Sequence, residues 1–280
     1  MRLGRILMLP LAAICLAGTF SCEEKPEKEP EEEEQEPVIP SDTTFAEAAA
    51  TVKLNVAEPS GIALSRDRLT MFVISDNGEI SEIRPATGAK KAFVFTQSGY
   101  DWEGFCLDRS TDILYAVQEK GNKVYSFSGD GHKTSALFYD ATIPGTNDGS
   151  DNYGCEGLTC HDGVMYLGNQ KNPCLIQTVD MATKEVTANT KIGFVQLISD
   201  LCYDEEDDTM WILESNASKE GGNCIPKLYN CTVPDFTLRY TITLPRITQA
   251  EGVEIDRKGG KIYICCDNTS NLYTFNYDFK

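Results

Sequence analysis

Carboxylate side chains recur in this sequence at one kind of position, where each precedes a glycine or an apolar residue that begins a short apolar run. The positions are Ser60, Glu103, Glu156, Asp200 and Glu251, and four of the five are acidic. Successive positions lie 43, 53, 44 and 51 residues apart. This spacing is the length of a four-stranded propeller blade. A residue repeated at one place in every blade lies on a ring around the propeller axis.

Such a ring of acids makes a specific prediction about chemistry. Ionised and unpaired, four carboxylates in one narrow channel would repel one another strongly. Raised pKa values, basic partners or a bound cation would relieve the repulsion, and few Lys or Arg residues occupy the channel-facing positions. Oxygen ligands select hard ions, and Ca²⁺ accepts irregular geometry better than Mg²⁺. We therefore predict a Ca²⁺ site, and its expected ligands are Glu103, Glu156, Asp200 and Glu251.

A second polar set ends the next strand of each repeat. If the first two strands of each blade are antiparallel, these residues return to the same end of the channel. The expected channel-lining residues are Ser60, Asp76, Glu119, Gln170, Glu214 and Asp267. Residues just before the ring are candidates for the wall of a ligand pocket: Tyr100, Asp101, Trp102 and Tyr153. The alternative is that the repeated acids bond to backbone amides of neighbouring blades and are purely structural.

The elements that must position these residues are short strands. Each repeat continues with an aromatic-led apolar run, and these aromatics are predicted to pack in the blade cores: Phe72, Tyr115, Tyr166, Trp211 and Tyr263. Further strands are expected over residues 79–84, 91–96, 123–128 and 134–139. Turn dipeptides such as Asn77-Gly78 and Asp130-Gly131 separate the runs. No segment after the N-terminal apolar run shows sustained helical periodicity, so the chain is predicted to be all-β.

The last repeat contains only three strands before the chain ends. A fourth can come from residues 51–56, which would close the ring and leave no exposed blade edge. We therefore predict a single β-propeller of five four-stranded blades closed by an N-terminal strand. Six blades is the alternative, if the two longer repeats contain additional strands.

The repeats resemble the SdiA-regulated family of bacterial propeller proteins. The resemblance rests on the five Ser-Gly or Glu-Gly type starts, on QAEGVEID followed by KIY near the C-terminus, and on the closing NLYTF. It covers about residues 55–278, and Asp200-Leu201 departs from the pattern of this family. The resemblance implies the propeller fold and a metal in the central channel more firmly than it implies a reaction.

The N-terminal segment has the features of an export signal. Arg2 and Arg5 precede an apolar run over residues 6–18, which is too short to span a bilayer. The run ends LAGTFSC, which resembles a bacterial lipobox and implies cleavage before Cys22 and lipidation of that residue. Phe20 departs from the lipobox pattern, and plain secretion with Cys22 as an ordinary thiol is the alternative. Several acyl chains would anchor the protein stably in a membrane.

An acidic tether follows Cys22. Residues 23–37 read EEKPEKEPEEEEQEP and cannot form a core. An acidic stretch directly after a lipidated cysteine also resembles the surface-export signal of some Gram-negative lipoproteins, although it can equally be a spacer. The predicted organisation is a signal peptide over residues 1–21, a disordered, lipid-anchored tether over residues 22–43 and the propeller over residues 44–280. The predicted location is the outer membrane, at the cell surface.

Charge and composition restrict the function classes. The net charge of −18 argues against nucleic-acid binding, because affinity for phosphate backbones depends on Lys and Arg. Nine cysteines remain after Cys15 and Cys22, without a CxxC motif, and their pairing is undetermined. Cys155 with Cys174 and Cys224 with Cys231 are candidate pairs.

Three function classes remain. No Gly-x-Ser-x-Gly, His-Glu-x-x-His or P-loop motif occurs. Binding of a ligand, glycan or protein partner at the channel is therefore favoured over catalysis. The alternatives are a metal-dependent hydrolase of phosphoesterase or lactonase type, with Glu214 or Asp76 as the acid/base, and a structural envelope protein.

Overall fold

The computed structural model describes residues 41–145, 154–215 and 225–279. The predicted signal peptide, Cys22 and nearly all of the predicted tether lie outside the described residues, as do Tyr153 and Cys224. The chain divides into a unit Met1–Val38 and a unit Ile39–Lys280, and the fold described below is that of the second unit.

The described residues form strands and one short 3-10 helix, Asp130–His132. Two strands precede the first complete blade: β1 (Thr43–Thr44) and β2 (Ala50–Lys53). Blade 1 consists of β3 (Pro59–Leu64), β4 (Met71–Ser75), β5 (Glu79–Arg84) and β6 (Ala89–Thr96). Blade 2 consists of β7 (Trp102–Asp108), β8 (Ile113–Gln118), β9 (Lys123–Ser128) and β10 (Thr134–Asp140). Blade 3 consists of β11 (Cys155–His161), β12 (Val164–Asn169), β13 (Leu175–Asp180) and β14 (Val186–Lys191).

Two further blades complete the ring. Blade 4 consists of β15 (Asp200–Asp204), β16 (Thr209–Glu214), β17 (Lys227–Thr232) and β18 (Leu238–Thr243). Blade 5 begins with β19 (Ala250–Asp256), β20 (Lys261–Cys266) and β21 (Asn271–Asn276). The first strands of successive blades pack against one another in order, and β19 packs against β3. The prediction of a five-bladed, all-β propeller is therefore confirmed, and the two longer repeats do not form a sixth blade.

An N-terminal strand closes the ring, as predicted. Strand β2 pairs antiparallel with β21, with Val52 opposite Leu272, and supplies the fourth strand of blade 5. One pairing was not anticipated: β1 adds to blade 4 as a fifth strand, parallel to β18, with Thr43 opposite Ile242. Two edges are therefore covered by the segment that enters the domain, which removes templates for aggregation.

The burial of each strand follows its distance from the axis. All six residues of β3 are buried, because the first strand of a blade is covered by neighbouring blades on both faces. In β14, the outermost strand of blade 3, most residues are exposed. The predicted core aromatics are buried as expected, and Trp211 is completely inaccessible to solvent and packs edge-on against Tyr240. The first strands are thus the rigid elements from which channel-facing side chains project.

Candidate functional site

Register shifts of the bulge type occur at four of the five predicted ring residues, and all four line one cavity. The pairing of β3 with β4 shifts between Pro59 and Gly61, which leaves Ser60 in a bulge. Glu156 and Glu251 occupy equivalent bulges in blades 3 and 5, and Glu103 lies within a shift between Trp102 and Phe105. A bulge changes the direction in which a side chain points and often lies beside a functional site.

The glycine that follows the ring residue in blades 1, 2 and 5 allows neighbouring blades to approach closely. A Cβ atom on Gly104 would lie 2.4 Å from the backbone nitrogen of Leu158 in blade 3. A Cβ atom on Gly61 would lie 2.7 Å from Phe105 Cβ in blade 2, and one on Gly252 would lie 3.0 Å from Gly61 Cα in blade 1. A side chain at these three positions would force the packed strands apart, which is a physical reason for glycine there.

The register of blade 4 corrects the alignment of the sequence repeats. Trp211 lies opposite Cys202, just as Tyr166 in blade 3 lies opposite Thr159. Cys202 is therefore equivalent to Thr159. Counting back along each strand, Asp200 is equivalent to Gly157, and Ser199 is equivalent to the ring acid Glu156. In the cavity lining, Ser199 is accordingly present and Asp200 is not.

Asp200 has a structural position. Its side chain is fully buried, and its Oδ2 accepts a hydrogen bond of 2.9 Å from the backbone N–H of Val253 in blade 5. Burial raises the pKa of Asp200 well above its ordinary value, although backbone amides, including that of Val253, act in the opposite direction. Asp200 therefore bonds to a backbone amide of the neighbouring blade, which is the structural role that the sequence analysis gave as the alternative to metal binding.

The same one-residue difference applies to the second set of blade 4. Ser215, and not Glu214, lines the cavity. Glu214 is buried, its Oε1 accepts a hydrogen bond of 3.1 Å from the backbone N–H of Gln196, and its Oε2 accepts one from the hydroxyl of Tyr229. In every blade the channel-lining residue of the second strand lies four positions after the core aromatic. In blade 4 the residue four positions after Trp211 is Ser215.

A cavity of about 280 Å³ lies between the starts of the first strands. Eight of the predicted residues meet there, which are Ser60, Asp76, Glu103, Glu119, Glu156, Gln170, Glu251 and Asp267. The remaining lining residues are Asp101, which the sequence had placed in a pocket wall, and Leu197, Ser199, Ser215 and Gln249. Seven carboxylates therefore line the cavity, and among the described residues no Lys, Arg or His lines it.

Three of these carboxylates form a compact group in blade 2. Oxygen atoms of Asp101, Glu103 and Glu119 lie within 4.8 Å of one another, a separation at which they can share a metal ion. A backbone hydrogen bond of 3.0 Å from the N–H of Glu119 to the carbonyl of Asp101 connects the two strands that carry the group. All three ligands are hard oxygens, which suit Ca²⁺ or Mg²⁺.

Burial, and to a smaller extent the charge of neighbouring acids, raises the pKa values of the cavity carboxyl groups. Burial is the main cause for Glu103, and the charges of Glu156 and Glu251 add to it. The pKa of Glu156 rises to about 8, mainly through burial, although a hydrogen bond from the Gln170 amide favours the charged form. Burial and neighbouring acids raise the pKa of Asp76 to about 7. Several of these carboxyl groups therefore hold protons at neutral pH unless a cation replaces them.

Two buried hydroxyl groups face the same cavity and have no hydrogen-bond partner among the described residues. Ser199 and Ser215 are each 2% exposed, and neither Oγ makes a hydrogen bond to any described residue. Buried polar groups are normally paired, so each unpaired group needs an explanation such as water, an ion or a ligand. These hydroxyls make the blade 4 side of the cavity neutral, whereas blade 2 contributes three acids.

At the opposite ends of the first strands, acidic residues are paired with arginines. Arg109, which directly follows β7, lies 2.8 Å from Glu254 and 3.3 Å from Glu205. Arg68 contacts Asp256 at 2.5 Å and Glu206 at 2.9 Å. The two arginines belong to blades 2 and 1, and each has a partner in blade 4, which is not adjacent to either. These ion pairs therefore connect blades that are not neighbours in the ring, whereas no Lys, Arg or His of the described residues lines the acidic cavity.

Together, fold and site define the chain as a five-bladed β-propeller with an acidic cavity between its first strands. No family model and no curated protein matches the sequence. Among solved structures, the chain is similar to hydrazine synthase of Kuenenia stuttgartiensis, at 12% identity and a TM-score of 0.48 over 76% of this chain and 56% of that one. This chain thus spans little more than half the length of that protein.

A second solved structure with similarity is a chain of a nidogen/laminin complex, at 12% identity and a TM-score of 0.47 over 78% of this chain and 80% of that one. Neither likeness enters the functional argument. Within the described part of the chain, no helix has the length and apolar character needed to cross a membrane.

Proposed function

We propose that this chain is an envelope-anchored, surface-exposed lipoprotein propeller that binds Ca²⁺ at its acidic cavity and holds a ligand or partner there. One observation carries the binding site. Seven carboxylates line the cavity with no basic residue among the described lining residues, whereas arginines pair the acids at the opposite ends of the first strands. Lys171 favours the charged form of Glu156 from outside the lining, and in this proposal a cation from solution supplies the remaining positive charge.

The residues available at the cavity fit a calcium ion. Asp101, Glu103 and Glu119 supply the nearest set of oxygens, and Glu156 and Glu251 line the same cavity. A bound Ca²⁺ would supply positive charge to carboxyl groups whose pKa values are raised, and it would replace their protons. The unpaired hydroxyls of Ser199 and Ser215 offer hydrogen bonds to a ligand on the blade 4 side.

The proposed location rests on the N-terminal sequence. A lipid anchor on Cys22 would hold the protein at the outer membrane, and the acidic tether would place the propeller some distance from the bilayer. The partner would be a small ligand, a glycan or a protein that reaches the cavity.

A thermal melt of the full chain with Ca²⁺, with Mg²⁺ and with EDTA tests the cation site. A ligand that binds only the native state stabilises it, so we expect Ca²⁺ to raise the midpoint and the double variant Glu103→Gln/Glu251→Gln to lose that response. Isothermal titration of the same samples measures the affinity directly.

The control removes the same charge from exposed positions. Glu47 and Glu185 are exposed and outside the cavity, so Glu47→Gln/Glu185→Gln should retain the full Ca²⁺ response. If the unaltered chain responds to neither ion, the repeated acids are structural, and the role as a structural envelope protein becomes the better proposal.

A metal-dependent hydrolase is the second candidate, and one observation favours it. Asp76 lines the cavity with a pKa of about 7, which suits a general acid or base at neutral pH. Glu214 is a poorer candidate, because both its oxygens are engaged by Gln196 and Tyr229. Metal-dependent turnover of a generic phosphoester or lactone, lost in Asp76→Asn while Ca²⁺ binding remains, would put this candidate first.

A further inference from the structure

Two cysteines from neighbouring blades meet beneath the acidic cavity. Cys106 in β7 and Cys160 in β11 place their Sγ atoms 3.5 Å apart, and both side chains are buried. They follow the ring acids Glu103 and Glu156 by three and four residues along the same strands. The sulfur pair therefore bridges the two blades that carry much of the acidic lining.

Other blade interfaces use a hydrogen bond at the same level. Thr159 Oγ1 in blade 3 accepts a bond of 3.1 Å from the N–H of Tyr203 in blade 4. Glu254 Oε2 in blade 5 accepts a bond of 3.1 Å from the N–H of Leu64 in blade 1. Cys106 occupies the position of Thr159 and Glu254 in its blade. Cys160 occupies the position of Tyr203 and Leu64. The packing of neighbouring first strands therefore brings the two cysteines together, as it does the partners of these hydrogen bonds.

We propose that Cys106 and Cys160 form a disulfide bond that joins blades 2 and 3. The sulfur atoms would have to approach from 3.5 Å to about 2.05 Å. Side-chain rotation at two residues can supply this movement of about 1.5 Å without a change of strand pairing. The inference is independent of cation binding, and it requires the oxidising compartment that the predicted export signal implies.

The reaction is a thiol–disulfide exchange with a small or protein disulfide oxidant. One cysteine thiolate attacks the oxidant and releases one thiol, and the second cysteine attacks the mixed disulfide and releases another. The two cysteines lose two electrons and two protons, and the oxidant is reduced to two thiols. Burial raises the pKa of Cys106 well above its ordinary value, so the exchange belongs to folding, before the blades close around the pair.

Peptide mapping of the full chain tests the bond. The reduced, unfolded chain is refolded with glutathione disulfide and then alkylated in denaturant without reductant, and a digest is analysed by mass spectrometry. The expected result is a linked peptide that contains Cys106 and Cys160 and separates on reduction. Recovery of both residues as singly alkylated peptides, or linked to other cysteines, would overturn the proposal.

A stability comparison in EDTA gives a second readout that does not depend on cation binding. A disulfide bond that closes the loop between Cys106 and Cys160 should raise Tm by roughly 5–10 °C relative to the reduced protein. Cys106→Ser should lose this difference, whereas Cys202→Ser, which alters another buried cysteine, should retain it. An equal difference in both variants would contradict the assignment, and mapping of the unaltered chain decides the question if a variant does not fold.

Discussion

Arg109 in blade 2 donates a hydrogen bond of 2.8 Å to Glu254 in blade 5, although blade 1 lies between these blades in the ring. The pair therefore connects two blades that are not neighbours in the ring. Burial raises the pKa of Glu254, the charge of Arg109 opposes this effect, and the net shift is upward. Glu254 thus has an arginine partner, whereas no Lys, Arg or His is found among the described residues that line the acidic cavity.

Removal of this arginine should destabilise the propeller strongly. Arg109→Met leaves the buried Glu254 and the nearby Glu205 without their cation, which should cost about 3–5 kcal/mol in the free energy of unfolding. Urea denaturation measures the change. Arg84→Met, at an exposed position, should alter stability by no more than about 0.5 kcal/mol. Equal effects of the two variants would show that the pair contributes little.

The corrected register of blade 4 predicts which acids bind the cation. Asp200→Asn should leave Ca²⁺ affinity within about twofold, because Asp200 contacts the backbone of Val253 and does not line the cavity. Glu103→Gln should weaken affinity at least about tenfold, because it removes one charged oxygen ligand from the blade 2 group. Isothermal titration measures both, and the opposite ranking would restore Asp200 to the ligand set.

Glycine at the close approach of blades 2 and 3 should be intolerant of substitution. Gly104→Ala places a Cβ atom 2.4 Å from Leu158 N and 2.5 Å from Glu156 O, so the blades must separate at a cost of about 3 kcal/mol. Gly193→Ala is the matched control, since an added Cβ there meets no atom within 4 Å. Chemical denaturation of the two variants should give a large and a negligible change, respectively; comparable losses would mean that crowding is not the cause.

The raised pKa values predict an unusual dependence of stability on pH. The folded-state values for Asp76 and Glu156, about 7 and about 8, exceed their ordinary values of 3.8 and 4.5. Protons are thus held more tightly in the native state, and the stability that they contribute is complete below about pH 4 and lost as pH rises through about 7–8. In EDTA, Tm should therefore fall between about pH 5 and about pH 8.5.

Calcium should reverse this loss. Because the ion competes with protons for the same carboxylates, the difference in Tm between Ca²⁺ and EDTA should increase over the same pH interval. Carboxylates with lowered pKa values, such as Asp108 and Asp235, destabilise the native state only at more acidic pH and do not obscure the effect. A difference that stays constant with pH would mean that the cavity acids do not bind the ion.

The closure of the ring shows how much local pattern can predict. Because the last repeat contains only three strands, the sequence predicts that residues 51–56 supply the fourth strand of the last blade. The strand observed there is Ala50–Lys53. The addition of β1 to blade 4 was not predictable, because it is two residues long and depends on where the entering chain lies. A side-chain contact accompanies it, in which Asp42 accepts a hydrogen bond of 2.8 Å from the N–H of Thr241.

The sequence predicted a propeller of five blades, with six as the alternative, together with its buried aromatics and most of the acidic lining, because strand length, turn residues and repeat spacing are local properties. The choice between adjacent residues in blade 4 required the three-dimensional pairing of the strands. Side chains alternate faces along a strand, so a one-residue difference in register exchanges Asp200 with Ser199, and Glu214 with Ser215, at the cavity. Which acids meet an arginine likewise depends on contacts between blades that are distant in sequence.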